Sequence, residues 1–517
     1  MQKRLLICAT AMKPARSLAI AWTVLLAPVA NAAQPCAALS KFTMPEHRVV
    51  IRQAQEIKAS APGVSPTVPA HCRVDGVIDE RTGRDGKPYG IGFAVALPAN
   101  WNGRFLFQGG GGLNGSVQPP LGGAYAGERS ALARGFAVAS TDSGHQGTGF
   151  DGSFFRDQQA ALNFLYQAVA EVTVVAKALI ARHYGKPQQH AYFVGCSTGG
   201  REAMMMSQRF PDYFDGIVAA APAARTSFSN LGLRHATAAL NAIAPRDADG
   251  KPQTRAAMSD ADRRLLTDGI LESCDGLDGN KDGLIFAPQD CAFDPKTLAC
   301  MGEKKEGCLS EAQVNAIRAI IQGPRTSTGR QVYPGYFYDT GIATTQGLPG
   351  VLAGPVIPEG RPVGTTYDVD MAAAEAMDAR AMVGDTSDWT NLSTFHGHGG
   401  KLIFLHGVSD PWFSAKETVR YYELLGRDNA ETPLAEWSRL FLVPGMGHCG
   451  GGARTLDRFD MLSAVVDWVE TARAPERVVA TGQSMPGESR PLCPYPTHAH
   501  FRGNSDARVQ ASYACRE

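Results

Sequence analysis

Residues 195–199 read Gly-Cys-Ser-Thr-Gly, with a short apolar run at 191–194 before them and helix-forming sequence from about Gly200 onward. No other stretch restricts the fold as much. A strand that becomes a helix across so few residues has to turn sharply at the end of a sheet. Glycines on both sides remove the side chains that would collide in the turn. The turn lifts the Ser197 hydroxyl above the sheet edge.

Strand and helix signals alternate around this turn. Residues 104–108 (Arg-Phe-Leu-Phe-Gln) are strand-like and run into the glycines 109–112. Residues 135–140 form a second apolar run, ending at Thr141-Asp142-Ser143-Gly144-His145. Over 157–183, Leu162, Leu165, Val169, Val172, Ala176 and Leu179 recur at three- and four-residue steps, which predicts one long helix. Residues 401–406 and 439–443 read as two further strands. This alternation places the chain in the α/β class, with a largely parallel sheet covered on both faces.

An exposed serine becomes a nucleophile only with a base beside it and an acid to orient the base. Asp410 follows strand 401–406, in His-Gly-Val-Ser-Asp-Pro, and His448 follows strand 439–443, in Pro-Gly-Met-Gly-His-Cys. Both lie beyond strand C-terminal ends, where α/β sites form, and the order Ser, Asp, His is that of α/β-hydrolases. The rival bases His396 and His398 precede a strand and read as surface residues; Asp142 reads as structural. Thr198 N–H, at the new helix start, would face a developing oxyanion. The glycine run, at Gly110 or Gly111, is the expected second donor. Cys196 precedes the serine and Cys449 follows the histidine. A disulfide holds two Cα atoms about 5.5 Å apart, so a Cys196–Cys449 bond would pin Ser197 beside His448.

The rest of the chain suggests export and an insertion. Lys3, Arg4, Lys13 and Arg16 precede an apolar run, 18–27, and a small-x-small site at Ala30-Asn31-Ala32. These are the marks of a signal peptide over 1–32. Its removal leaves 46 basic and 50 acidic residues. The full chain has 50 of each, so no global basic field is present to recruit nucleic acid. No stretch reaches the roughly 18 consecutive apolar residues of a membrane span. Of 11 cysteines, Cys8 leaves with the leader. An even ten in an exported chain read as disulfides, and local spacing suggests 274–291, 300–308 and 493–515. Poor strand periodicity, ten prolines and four cysteines mark the middle of the chain. The expected organisation is a core in two parts, 33–224 and 396–517, with an inserted lid at 225–395. Within the insertion, Asp278, Asn280 and Asp282 stand at positions 1, 3 and 5 of an EF-hand-like loop, with Gly283 and Leu284 following. Position 12 is Gln289, and Asp275 supplies the missing carboxylate. These hard oxygen ligands suit a structural calcium ion and not a hydrolytic zinc.

Several of these pieces together resemble the tannase and feruloyl esterase family of α/β-hydrolases. They are Gly-Cys-Ser-Thr-Gly-Gly-Arg (195–201), Ser-Asp-Pro (409–411), Gly-Met-Gly-His-Cys (445–449), the acidic loop and Pro-Leu-Cys-Pro-Tyr-Pro (491–496). The resemblance spans nearly the whole mature chain. It implies an α/β-hydrolase core with a calcium-binding lid, and a bond between the Cys-Ser and His-Cys pairs. It implies calcium held by the Asp275, Asp278 and Asp282 side chains with the Asn280 and Leu284 carbonyls. A bacterial branch cleaves terephthalate half-esters; its bridge pattern adds Cys36–Cys72, and His406 matches one of its substrate-pocket histidines. That branch sets a lid arginine against the free carboxylate, for which Arg361 and Arg330 are candidates here. The implied function is a secreted or periplasmic serine esterase acting on small aromatic esters, galloyl or hydroxycinnamoyl in type. The alternatives are a terephthalate half-ester hydrolase, or a non-catalytic binding protein on a hydrolase scaffold.

Overall fold

The computed structural model describes residues 33–61, 66–358, 360, 362–503 and 505–517. The expected leader lies outside the described residues. The centre is a nine-stranded sheet. Its strands are β1 (Val49–Ile57), β2 (His71–Thr82), β3 (Pro88–Pro98), β4 (Arg104–Gln108), β5 (Ala137–Thr141), β6 (His190–Cys196), β7 (Gly216–Ala220), β8 (Lys401–Gly407) and β9 (Ser438–Val443), in the spatial order β1-β2-β3-β5-β4-β6-β7-β8-β9. From β5 to β9 every pairing is parallel. β1, β2, β3 and β5 pair antiparallel, so one side of the sheet departs from the parallel expectation. The central strands carry continuous apolar runs because both faces are covered: all five residues of β7 are buried. The edge strand β1 alternates and carries Arg52, Gln53 and Gln55, which suits a strand with one open side.

Alternate residues of each central strand feed two separate cores. On one face, Phe105, Phe107, Phe193, Ile217, Leu402 and Phe404 meet the helices Ala168–Tyr184 and Ala415–Asp428. On the other, Leu106, Tyr192, Val194, Val218, Ile403 and Leu405 meet the helix Met461–Thr471. Each such large side chain, fully buried, stabilises the fold by about 1.5–3 kcal/mol.

The expected long helix is interrupted. Gln158–Leu162 and Ala168–Tyr184 are α-helical, while Asn163–Gln167 forms a π turn. Arg201 explains the interruption: its guanidinium donates to the carbonyls of Phe164 (3.1 Å) and Leu165 (2.6 Å). The whole stretch 158–184 is the one described helix long and apolar enough to cross a membrane, and it packs inside the fold instead.

Between β7 and β8 no described strand joins the sheet. This region has its own core, built by Leu240, Leu266, Ile270, Ile317 and Ile320 from the helices Thr226–Ile243, Asp260–Cys274 and Glu311–Gln322. Capping boxes at Ser259/Asp262 and Ser310/Gln313 start the last two of these helices. The structure pairs Cys36–Cys72, Cys196–Cys449, Cys274–Cys291, Cys300–Cys308 and Cys493–Cys515.

Candidate active site

Ser197 is the residue between β6 and the helix Thr198–Arg209, at φ 63° and ψ −121°. That region costs a non-glycine residue about 1–3 kcal/mol, so surrounding contacts must hold it. Ser197 N–H donates to Ala220 O at 3.1 Å, and Ala223 N–H returns to Ser197 O at 3.0 Å. The neighbouring glycines are compulsory. A Cβ on Gly195 would lie 2.5 Å from Gly199 O, and one on Gly200 would lie 2.3 Å from Ala220 O.

His448 and Asp410 meet as the strand ends suggest, with Nδ1 2.7 Å from Asp410 Oδ2. A carboxylate accepts there, so Nδ1 carries the proton and Nε2 is left to accept one. The other Asp410 oxygen accepts the N–H groups of Trp412 (2.8 Å) and Phe413 (3.1 Å). Burial opposes the Asp410 charge, but His448 and His406 outweigh it and hold the carboxyl well below the usual range. The Cys196–Cys449 bond sets its two Cα atoms 5.9 Å apart, across 253 residues of sequence. Ser197 and His448, each adjacent to one of these cysteines, are thereby held on neighbouring loops. Tyr125 OH donates to Cys449 O at 3.0 Å and steadies the histidine side.

His406 is not at the substrate face. It is fully buried, and no part of it lines the cavity. Its Nε2–H lies 3.0 Å from Phe413 O and 3.4 Å from Asp410 Oδ2, and its Nδ1 is 2.8 Å from Thr418 Oγ1. It supports Asp410 from behind, because its place within β8 turns it into the fold. Asp142 is buried and accepts from Gly92 N–H and Gly144 N–H, a structural role. His396 stacks on Trp437, and His398 is exposed.

The glycine loop is fastened to β6 and to the helix that begins at Thr198. Gly109 N–H donates to Val194 O (2.9 Å) and Gly199 N–H to Gly110 O (3.1 Å). The Thr198 hydroxyl donates to Gly112 O. Gly110 N–H is spent on Glu202 Oε2 at 2.9 Å, so Gly110 is not an available oxyanion donor. Thr198 N–H and Gly111 N–H have no acceptor among the described residues.

Ser197, Thr198 and Gly112 border a cavity of about 1380 Å³. Ser197 and Thr198 lie on its wall, with Phe150, Phe228, Trp412 and Phe413 supplying aromatic surface. The Trp412 ring is 4.9 Å from that of His448. Arg330 is exposed and does not line the cavity, and Arg361 lies outside the described residues. Among the described residues, the cations on the wall are Arg156, Arg201, Arg225 and Arg380. Of these, Arg225 faces Glu417 (3.4 Å) and Asp385 (3.8 Å), and Arg380 faces Asp378 (3.0 Å). The segment before β8 also reaches the Asp410 and His448 loops. Asp339 Oδ2 accepts from Ser409 OH (2.5 Å), next to Asp410, and from Gly445 N–H (2.8 Å), near His448. Tyr336 OH donates to Pro411 O at 3.1 Å. Sequence spacing held no signal for this strap.

In the acidic loop, Asp275 and Asp278 are buried, and burial pushes Asp278 up to about 7, with Asp282 and Asp275 adding to the shift. Asp275 accepts from Gly283 N–H, Asp278 from Asn280 N–H, and Asp282 from Leu284 N–H. Arg490 neutralises Asp282 at 2.5 Å, and the Asn280 amide also donates to Asp282. Among the described residues no three acidic, histidine or cysteine side chains form a ready-made metal cluster. The donor set still fits a hard cation: Asp275 and Asp278 are buried carboxylates with no basic side chain in hydrogen-bond contact.

The sequence profile of the family described as tannase and feruloyl esterase matches residues 72–355 and 363–516. The chain is 38% identical to the mono(2-hydroxyethyl) terephthalate hydrolase of Piscinibacter sakaiensis, over 88% of this chain and 86% of that one. It is 31% identical to a probable feruloyl esterase B-2 of Aspergillus terreus, over 81% and 82%. The crystal structure of feruloyl esterase B from Aspergillus oryzae superposes with a TM-score of 0.74 at 26% identity, covering 93% of this chain and 99% of that one. The fold is that of an α/β-hydrolase, and the chain belongs to the tannase and feruloyl esterase family.

Proposed function

We propose that this carboxylic ester hydrolase is an exported serine esterase for esters of aromatic acids, working through an acyl-enzyme. The observation that carries the reading is the His448–Asp410 hydrogen bond, on a loop bonded covalently to the residue before Ser197. Ser197 Oγ attacks the ester carbonyl carbon while His448 Nε2 takes its proton. Asp410 keeps the imidazole in the required tautomer and stabilises its positive charge. Thr198 N–H and Gly111 N–H receive the oxyanion. The tetrahedral adduct collapses, and His448 gives its proton to the departing alcohol. Water, deprotonated by His448, then releases the aromatic acid and restores Ser197. The aromatic cavity wall and the relatives' substrates support an aromatic acyl group. The five disulfides and the basic-then-apolar start of the chain support export. A fluorophosphonate probe should label Ser197 stoichiometrically, and absence of that adduct would favour a non-catalytic binding protein.

A terephthalate half-ester is the second reading. Arg201 is a buried residue of the cavity wall, and among the described residues its guanidinium donates to two backbone carbonyls and makes no carboxylate ion pair. Rates on methyl gallate, methyl ferulate and a terephthalate half-ester separate the readings. A kcat/KM at least tenfold higher for the half-ester selects the second.

We further infer that the acidic loop holds calcium through Asp275, Asp278 and Asp282, with the Asn280 and Leu284 carbonyls. The ion would relieve the repulsion among buried carboxylates and order the lid, and it takes no part in the chemistry. Chelation is expected to lower the melting temperature by several degrees, because the ion binds the folded state preferentially. The initial rate at low temperature should change less. Unchanged melting with abolished activity, restored by calcium, would overturn this assignment.

A further inference from the structure

We propose that Glu202 is a positioning residue for the oxyanion site, holding the glycine loop in the one conformation that presents Gly111 N–H. This rests on the serine esterase reading.

Glu202 stands one helical turn after Thr198, and helical side chains lean toward the helix start. Its carboxylate therefore reaches back beneath residues 109–112. It is buried and has three partners: Gly110 N–H at 2.9 Å, Asn114 Nδ2 at 3.1 Å and Ser143 Oγ at 3.3 Å. Backbone N–H and amide NH₂ only donate, so the site is matched to an acceptor with two oxygens. Burial pushes the Glu202 carboxyl upward, against these donors.

The geometry around Gly110 shows what the carboxylate does. Gly110 N–H is drawn down to Glu202, while Gly110 O accepts from Gly199 N–H at 3.1 Å. Both peptide planes flanking Gly110 are thus tied to one helix. In a trans peptide the N–H points opposite the preceding C=O. With Gly110 C=O held toward Gly199, Gly111 N–H points the opposite way and has no acceptor among the described residues. A glycine run has wide conformational freedom of its own, and nothing in its side chains would choose this orientation. Removing the Glu202 anchor leaves Gly199 N–H as the remaining tie on Gly110, so the 110–111 peptide that carries the donor is less firmly held and is in place for only part of the time. The other oxyanion donor, Thr198 N–H, lies on the same helix as Glu202. One rigid element therefore sets the spacing between the two donors.

The test uses Glu202→Ala and Glu202→Gln, measured beside wild type and Ser197→Ala. For Glu202→Ala, kcat on an aryl ester should fall about 100-fold, as for loss of an oxyanion donor, with KM within about twofold. Affinity for an aryl boronic acid, which adds to Ser197 as a tetrahedral anion, should fall in parallel. Glu202→Gln keeps one oxygen for Gly110 N–H and should lose about tenfold in kcat, again without a change in KM. This variant serves if Glu202→Ala does not fold. A folded Glu202→Gln with wild-type kcat and boronate affinity would overturn the proposal. So would a Glu202→Ala whose loss lies in KM alone. Failure of the underlying reading looks different: Ser197→Ala would stay active and wild type would not bind the boronate, and the positioning role would fall with it.

Discussion

Replacing Ser197 by alanine is expected to lower ester hydrolysis by about 10⁴-fold or more while leaving the melting temperature nearly unchanged. The large effect follows from the covalent catalysis proposed above: without Oγ no acyl-enzyme would form, and only the oxyanion donors and substrate binding would remain. The small stability effect follows from the site. Ser197 is fixed by its backbone bonds to Ala220 and Ala223, which alanine keeps. Alanine meets the same backbone strain at φ 63°. Steady-state rates on an aryl ester and a thermal melt check both halves. Retention of more than about 1% of activity, after repurification, would point to another nucleophile.

The second large effect is expected from the Cys196→Ala/Cys449→Ala double variant. The bond closes 253 residues, for which the chain-entropy description gives about 5 kcal/mol of stabilisation. That is a large share of the 5–15 kcal/mol typical of a folded domain, so the melting temperature should fall steeply. Catalysis should fall further than stability alone explains. Among the described residues no other disulfide joins the segments of Ser197 and His448, and a misplacement of about 1 Å costs about 100-fold in rate. Measured well below its own melting temperature, the variant should show a kcat reduced at least tenfold. Peptide mapping of the wild type without reduction should recover the fragments around Ser197 and His448 as one species. An unchanged kcat in the folded double variant would show that packing alone aligns the two side chains.

Much of the candidate site is legible in the sequence because its residues sit where local pattern is strongest. Strands buried on both faces need continuous apolar runs, and those runs mark β4, β6, β8 and β9 without any partner being known. Loops at strand ends then deliver Ser197, Asp410 and His448. Gly195 and Gly199 are legible because the turn tolerates nothing larger, and the cysteines because adjacency to two candidate residues constrains where a bond is useful. The tertiary structure decides what depends on partners distant in sequence. Glu202 reaches Gly110 across 92 residues, and Asp339 reaches Gly445 across 106, through bonds that no periodicity encodes. The antiparallel strands β1–β3 likewise take their places from pairing. His406 is the instructive case. Its four-residue spacing from Asp410 says that the two are close but not which face of β8 it occupies. A strand turns successive side chains to opposite sides, and only packing against Thr418 and Phe413 places this one behind the acid, away from the cavity.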